Sequence, residues 1–367
     1  MKYKVTCLTP MLVGDGGRLS AIDYMVWKDA VNVLDQQRIF KLLAKGPRLD
    51  GYLTQLKRAE KLDFASWGGF AQNFAGRRIP FEHASSSAYW DRAQGESLNI
   101  PTFAAGASGP YLPGAAIKGA LRTGVLFTQS KPGMLKDVLQ RVQGDRLPRR
   151  PAEMAEDQAL GPAGHSRMRA VSAGDSRVVP YTQMKVYLLR VSTLQARGAG
   201  EYALGWKQSP RGAADGRRPE DATPSFAEMS TPGSVFEGAW DEKNAQSRSR
   251  IFDSANKYAR QMIAEHKKYA AWTGLENLNR QLTDLESRLD GLNGGTQCLL
   301  SIGWGGGLLS KTAWLDKDTE EHRKILGILP LYSRAISTGM PFPKTRRIVF
   351  QENKPATVPG WVLLEVG

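Results

Sequence analysis

The chain has 367 residues, of which 41% are hydrophobic and 9% aromatic, so it can bury a core and is not globally disordered. An excess of 50 basic over 36 acidic residues gives a net charge of +14, with a pI near 9.7. This balance favours a polyanionic partner, with nucleic acid first and an anionic membrane surface second, over a merely basic soluble protein. The N-terminus lacks a signal-peptide run and no segment approaches a membrane span, so we expect a cytoplasmic protein.

The first 50 residues predict a small β-rich region followed by a helix. Residues 2–10 have the composition of a first strand, and residues 13–20 that of a glycine-rich turn. Two short β-rich runs within residues 22–35 predict a hairpin. Asp35 is a suitable N-cap for a helix over residues 36–45.

A helix is also predicted over residues 114–129, with a buried face and a cationic face. Lys118 and Arg122 are four residues apart on one side, where like charges cost about 0.2–0.5 kcal/mol in a bare helix. A counter-charge such as phosphate would remove that cost. The Gly114 end offers unpaired N–H groups and the positive end of the helix dipole. A solvated cationic face is the alternative interpretation.

The second half of the chain predicts strands around a long helical region. Residues 182–193 and 233–240 are typical of strands, and residues 195–232, rich in Gly, Pro and Arg, predict a mobile loop or insertion. Residues 247–290 predict a helical region broken at Thr273-Gly274. Its second half carries leucines at alternating spacings of three and four, which favours packing on a sheet. The order of elements indicates an α+β fold with antiparallel sheets.

Residues 301–312, "SIGWGGGLLSKT", almost match the phosphate-binding loop G-x-x-x-x-G-K-[ST]. Counting from Gly305, every fixed position fits except Ser310, which stands where the second glycine belongs, ahead of Lys311 and Thr312. Such a loop normally opens its domain, because later strands complete the sheet and supply an acidic residue. Few residues follow here and no apolar strand ending in Asp is among them, so an ATP site is not expected.

The same stretch can hold an extended polyphosphate such as an RNA backbone. Gly303, Gly305, Gly306 and Gly307 present bare N–H groups, and Trp304 offers a face on which a base can stack. A bulged structural turn with a core tryptophan is the alternative.

Catalytic and metal-binding patterns are weak. Cys7 and Cys298 have no metal-type neighbours, so we expect reduced, buried thiols and neither structural zinc nor a disulfide. His83 is a candidate general base for a metal-free ribonuclease, although a surface or loop histidine is the simpler interpretation. Asp15 and Asp175 are loop acids for which structural or capping roles are expected. We therefore predict no catalytic residue, no metal site and no cofactor.

Several segments together resemble one family. Residues 111–126, "YLPGAAIKGALRTGVL", resemble the "(I/L)PGSSLKGALR" element of the RAMP superfamily of CRISPR RNA-binding proteins, and residues 301–312 resemble its C-terminal glycine-rich loop. Residues 6–35, 341–350 and 359–366 are similar to the beginning and end of one subunit family within it, the fifth Csm subunit of type III-A effector complexes. The co-occurrence of these motifs is more specific than any one of them.

The resemblance implies an α+β fold with a ferredoxin-like or RRM-like βαββαβ core and large insertions, and leaves room for a second, degenerate ferredoxin-like unit. Residues 1–194 would form an N-terminal RRM-like region with insertions. Residues 195–232 would be the loop rich in Gly, Pro and Arg, and residues 233–367 a C-terminal helical and strand region that carries the glycine-rich loop.

The resemblance also implies a function without catalysis or nucleotide hydrolysis. The chain would bind the 3′ part of the guide RNA (crRNA) and cap the filament of backbone subunits in antiviral interference. Its partners would be guide RNA, with target RNA as a further candidate, and the backbone and small subunits of a type III complex, with no membrane. Two other functions stay open: another RAMP subunit of a type III complex, including a backbone subunit that cleaves target RNA, and a metal-independent guide-RNA processing endoribonuclease.

The resemblance identifies candidate RNA-binding residues at the matched positions. Ala115-Ala116 stand where the family has two serines, which removes two hydroxyls that bind phosphate but leaves the backbone N–H groups. The predicted RNA-binding residues, including the remaining members of the glycine-rich loop, are Gly114, Lys118, Gly119, Arg122, Gly303, Trp304, Gly305, Gly306, Gly307, Lys311 and Thr312.

Overall fold

The computed structural model describes residues 1–46, 48–58, 61–62, 73–144, 146–198, 200–209 and 215–367. The fold mixes helices with antiparallel sheets, as predicted. The strands are β1 (Lys2–Cys7), β2 (Arg18–Leu19), β3 (Tyr24–Trp27), β4 (Ala30–Leu34), β5 (Ala75–Pro80), β6 (Ile100–Pro101), β7 (Ala105–Gly106), β8 (Gly109–Pro110), β9 (Val171–Ser176), β10 (Met184–Gly198), β11 (Glu201–Lys207), β12 (Asp215–Gly216), β13 (Ser225–Ser230), β14 (Val235–Glu242), β15 (Gln297–Ser301), β16 (Thr345–Gln351), β17 (Lys354–Thr357) and β18 (Trp361–Val366). The helices are α1 (Gln36–Leu43), α2 (Leu49–Arg58), α3 (Ser86–Arg92), α4 (Gly114–Gln129), α5 (Met134–Val142), α6 (Glu153–Leu160), α7 (Ala245–Thr273), α8 (Glu276–Asp290), α9 (Thr319–Ile328) and α10 (Ser333–Ile336).

The first sheet joins the two ends of the chain. Its strands run in the order β15-β18-β1-β14-β9, and neighbouring strands are antiparallel. Val5 of the central strand β1 pairs with Phe236 on one side and with Leu364 on the other, and all three side chains are fully buried. The sheet therefore draws strands from both of the predicted regions, residues 1–194 and 233–367.

Helices α4 and α7 pack against each other and against this sheet. The rings of Phe127 and Tyr258 lie 5.4 Å apart between the two helices. The predicted break between α7 and α8 is confirmed, because Gly274 ends α7 in the left-handed conformation at a φ of 65°. The predicted leucine seam of α8 is also confirmed as buried core: Leu275, Leu278, Leu282, Leu285 and Leu289.

The second sheet corrects the prediction of a loop over residues 195–232. Its order is β12-β11-β10-β16-β17, and the first half of the long strand β10 also pairs with β13. Trp206 on β11, and Phe226 and Met229 on β13, are fully buried, so apolar side chains hold these strands in the core despite the Gly, Pro and Arg around them. Residues 199 and 210–214 of that prediction lie outside the described residues.

An insertion after β2 carries a small separate core. Strands β3, β4 and β5 form a three-stranded sheet, which confirms the predicted hairpin over residues 22–35. Asp35 caps α1 as predicted, because its carboxylate accepts the N–H of Arg38 at 3.0 Å. The core between this sheet and the adjoining helices contains Leu34, Ile39, Leu43, Tyr52, Leu62 and Phe74. None of the helices within the described residues is both long and apolar enough to cross a membrane.

The packing of α4 predicts opposite effects for two of its glycines. A Cβ at Gly124 would lie 2.8 Å from the Cα of Ala255 on α7, whereas a Cβ at Gly119 would meet nothing within 4 Å. Gly119→Ala should raise the free energy of unfolding by about 0.5–1 kcal/mol, because alanine is the better helix former. Gly124→Ala should lower it by about 1–3 kcal/mol through overpacking.

Urea denaturation of both variants beside the wild type measures the difference. Equal stability of the two variants would contradict the close approach of α4 to α7.

Candidate nucleic-acid interface

A groove of about 1720 Å³ runs between the two sheets, and we call it the central groove. It is lined by the glycine-rich loop 301–311, one side of α4, the N-terminal loop 12–18 and the segments 330–338 and 342–347. The motif on α4 and the glycine-rich loop, which the sequence predicts to act together, therefore both contribute to this surface. The predicted residues that line the groove are Gly119, Gly303, Trp304, Gly305, Gly306, Gly307 and Lys311.

The glycine-rich loop lies so close to neighbouring atoms that side chains would not fit. At Gly303, with a φ of 82°, a Cβ would stand 2.2 Å from the carbonyl oxygen of Leu12. At Gly305, with a φ of 97°, it would stand 2.6 Å from Cγ of Pro359. The N–H of Trp304 donates to the same Leu12 carbonyl at 2.7 Å, so the loop is fixed against the start of the chain.

The end of the loop explains the departure from a nucleotide-binding motif. The Ser310 hydroxyl is buried and donates to the carbonyl of Gly307 at 3.1 Å, closing the turn on itself. Thr312 is also buried, and its hydroxyl oxygen accepts the N–H of Trp314 at 3.2 Å. Thr312 does not line the groove and its side chain serves the turn, so its contact with RNA stays a prediction.

Two cations beside the loop have no counter-charge. The Lys311 side chain reaches the groove at an exposed position, yet neighbouring protein atoms desolvate the ammonium and lower its pKa. Arg347 is half-buried, its guanidinium lies 4.0 Å from the ring centroid of Trp304, and desolvation lowers its pKa as well. Within the described part of the chain, no carboxylate forms an ion pair with either cation.

The whole groove is cationic. Its only acidic side chain among the described residues, Asp215, is already paired with Lys207 at 2.7 Å. Arg346 lies beneath the surface, where its Nε donates to Nδ1 of His266 at 3.1 Å and burial lowers its pKa to about 10. The basic residues of the lining are Arg18, Lys207, Lys311, Arg334, Lys344, Arg346 and Arg347. Of these only Lys311 was predicted from the sequence, although "KTRR" at 344–347 is a visible basic cluster.

Trp304 serves both the core and the groove. The ring is half-buried, packs against the main hydrophobic core and still lines the groove. The Arg347 guanidinium covers the ring at cation–π distance. Core packing of Trp304 is therefore confirmed, and base stacking on its ring stays a prediction.

The start of α4 differs from the prediction of an open anion site. The Gly114 N–H donates to Oδ1 of Asp175 at 2.9 Å, so a carboxylate already occupies the positive end of the helix. A Cβ at Gly114 would lie 2.1 Å from the carbonyl oxygen of Ala173, which fixes glycine at this position for packing. Gly114 is thus a structural residue here, and Asp175 has the capping role expected of it.

The cationic face of α4 lies away from the central groove. Arg122 forms an ion pair with Glu156 of α6, and neither Lys118 nor Arg122 lines the groove. Glu156 thus supplies Arg122 with a counter-charge within the chain, and a phosphate contact of Arg122 stays a prediction. The side of α4 that faces the groove carries small residues instead: Ala115, Ala116, Gly119, Ala120 and Thr123.

The remaining candidates have local roles. Nδ1 of His83 lies 2.8 Å from the Ser85 hydroxyl, outside the groove lining. Asp15 accepts the N–H of Gly17 at 2.8 Å within the N-terminal loop. Cys7 and Cys298 are free and buried as predicted, and burial raises the pKa of both thiols. The described residues contain no group of three or more metal-ligating side chains that could hold an ion.

The family model of the RAMP superfamily matches residues 4–310, and the chain belongs to this superfamily. Two solved structures are similar in fold. A chain of the "Csm-crRNA-target RNA ternary complex in type III-A CRISPR-Cas system" matches with 100% of both chains covered, 18% identity and a TM-score of 0.66. Csm5 of T. onnurineus matches with 98% of this chain and 99% of that chain covered, 16% identity and a TM-score of 0.55. No curated protein matches the chain.

The cap at α4 predicts a stability effect of one carboxylate. Asp175→Ala should lower the free energy of unfolding by about 1 kcal/mol, because the helix loses its capping acceptor. Asp15→Ala is the matched control: it also removes a carboxylate that accepts one N–H, but at no helix end, and should change stability by less than about 0.5 kcal/mol.

Thermal denaturation of the two variants at low salt measures both effects. If Asp175→Ala were as stable as the wild type, the capping role of Asp175 would be refuted.

Proposed function

We propose that the chain is a non-catalytic RNA-binding subunit of a type III-A CRISPR effector complex. It holds the 3′ part of the guide RNA and ends the filament of backbone subunits, with target RNA and the backbone and small subunits as its other partners in the cytoplasm. Membership in the RAMP superfamily and the similarity in fold to a chain of a complex containing crRNA and target RNA support this role.

One observation carries the proposal: Arg347 lies over Trp304 beside the glycine-rich loop with its Nε buried and without a hydrogen-bond partner, and among the described residues no carboxylate pairs with it or with the exposed Lys311. Taking a charge out of water is costly unless an opposite charge compensates it. A phosphate would compensate both cations, and the bare N–H groups of Gly305 to Gly307 add donors to its oxygens. Consecutive phosphates on an extended strand match a groove that is cationic along its length.

The lining also favours binding without base readout. Asn, Gln and Glu side chains, which read the edges of adenine and cytosine, do not occur among the described residues of the groove lining. Asp215, the only carboxylate of the lining among the described residues, is engaged by Lys207, so the charged groups left free are cations, which bind phosphate. Contacts to phosphate and sugar position a strand without regard to sequence, as a guide of arbitrary sequence requires.

The first sheet is consistent with the expected ferredoxin-like core. Strands β1, β9, β14 and β18 lie in the order β18-β1-β14-β9. Helix α4 precedes β9 in the chain and α7 follows β14, and both pack on this sheet. We therefore propose β1-α4-β9-β14-α7-β18 as the βαββαβ core, with β15 as an added edge strand and the second sheet formed by insertions.

Removing either unpaired cation should weaken RNA binding through charge. Lys311→Ala and Arg347→Ala should each weaken the binding of single-stranded RNA, and the loss should be the same for RNAs of unrelated sequence. Each should also reduce the slope of log K against log salt by about one. Lys118→Ala, which removes a lysine outside the groove, is the matched control and should leave the slope unchanged.

Fluorescence anisotropy from 50 to 300 mM salt reports these slopes. Unchanged slopes for both Lys311→Ala and Arg347→Ala would show that the groove does not hold phosphate.

The proposal also predicts that bound RNA stays intact. A processing endoribonuclease needs a general base beside the attacking 2′-hydroxyl, and His83 lies outside the groove lining. We expect no new fragments when guide RNA is incubated with the purified chain, with or without Mg²⁺. Cleavage that His83→Ala abolishes would establish the endoribonuclease instead, and Mg²⁺-dependent cleavage would favour a cleaving backbone subunit.

A further inference from the structure

The segment between α9 and β16, residues 329–344, forms an arm along one side of the central groove, and we call it the 329–344 arm. The sequence motifs include only the last residues of this arm, from 341 onward, and assign no function to the rest of it. It nevertheless supplies a large share of the groove lining, including Leu331, Tyr332, Arg334, Phe342 and Lys344.

The arm exposes an apolar side chain at the groove. Leu331 is 80% exposed, more than any other large hydrophobic side chain among the described residues. It stands next to Tyr332, which is half-buried and packs edge-on against Phe342 with ring centroids 6.0 Å apart. A single exposed leucine is ordinary at a protein surface, but this one adjoins an aromatic ring within a groove.

The surroundings of this apolar surface are cationic. Arg334 is exposed and Lys344 half-exposed, and neither forms an ion pair with any carboxylate in the described ranges. Aromatic or apolar faces between unpaired cations are the combination that single-stranded nucleic acids require, because bases stack on the first and phosphates pair with the second. A protein partner would more often be met by a larger apolar patch with fewer charges at its centre.

The arm is also held in place before any ligand arrives. The Arg323 guanidinium on α9 donates to the carbonyl of Ile336 at 3.3 Å and to that of Met340 at 3.3 and 3.4 Å. These bonds tie the middle of the arm to α9. A preorganised surface loses less conformational entropy when it binds.

We propose that the 329–344 arm is a stacking subsite for an unpaired nucleobase. The base lies on Tyr332 with Leu331 against its edge, and Arg334 and Lys344 take the flanking phosphates. The subsite makes the central groove selective for single-stranded RNA, since both faces of a base are covered in a duplex. This inference rests on the proposed binding of RNA in the groove.

Abasic RNA tests the subsite. A series of single-stranded RNAs carries one abasic ribose, placed at a different position in each member. For one of these positions, the abasic RNA should bind the wild type about 5- to 150-fold more weakly than intact RNA. Tyr332→Ala should bind intact RNA more weakly by the same factor, and an abasic ribose at that position should cause no further loss of affinity. Its salt slope should equal that of the wild type, because stacking involves no charge. Tyr332→Phe, which keeps the ring, should behave as the wild type.

The outcomes separate the two proposals. The subsite would be overturned if the wild type and Tyr332→Ala lost the same affinity at every abasic position. If the salt slope still depended on Lys311, binding of RNA in the central groove would stand. Failure of the wild type to bind any RNA would overturn both. A third outcome is that Tyr332→Ala binds RNA as tightly as the wild type but fails to bind a protein subunit. That result would also overturn the subsite and would identify the arm as a contact for a protein partner.

Discussion

The close packing of α4 is the constraint on which the groove depends. Gly114 brings the start of the helix onto the backbone of β9, and Gly124 brings its middle onto the backbone of α7, at separations that no side chain permits. The other end is tied to the segment after the glycine-rich loop, because the Lys317 ammonium donates to the carbonyls of Phe127 and Ser130 at 3.3 and 3.1 Å. The helix and the glycine-rich loop are thus fixed to each other.

This packing determines the chemistry of the groove. With Arg122 paired to α6, helix α4 presents small residues that let a chain approach its backbone. The charge comes from the second sheet, the N-terminal loop, the 329–344 arm and Lys311. Within the described residues no carboxylate pairs with Lys311 or Arg347, and the buried Nε of Arg347 has no hydrogen-bond partner, which is a cost to folding. A bound anion would supply the missing counter-charge at this concave surface.

Local patterns predicted much of the fold. Spacing and capping chemistry among residues close in sequence determine five predicted features. These are the bounds of α4, the Asp35 cap, the hairpin β3–β4, the end of α7 at Gly274 and the leucine seam of α8. The strands within residues 195–232 were missed because Gly, Pro and Arg dominate that composition, while their stability comes from buried contacts such as those of Trp206.

The candidate site was predictable only in part, for a related reason. Motif co-occurrence brought α4 and the glycine-rich loop together, but the partner of Arg122 lies 34 residues away and the cap of Gly114 lies 61 residues away. No local pattern reports such pairings. Arg347 was missed because its importance comes from its position over Trp304, which is set by the pairing of β16 with β10.

The most direct test of RNA binding in the central groove is to photo-crosslink the chain to 4-thiouridine-labelled single-stranded RNA and to identify the linked residues by mass spectrometry. Crosslinks should fall on the glycine-rich loop 303–311, on the side of α4 that carries Gly119 and on the 329–344 arm. Crosslinks confined to the Lys118–Arg122 face or to surfaces outside the groove would contradict the account.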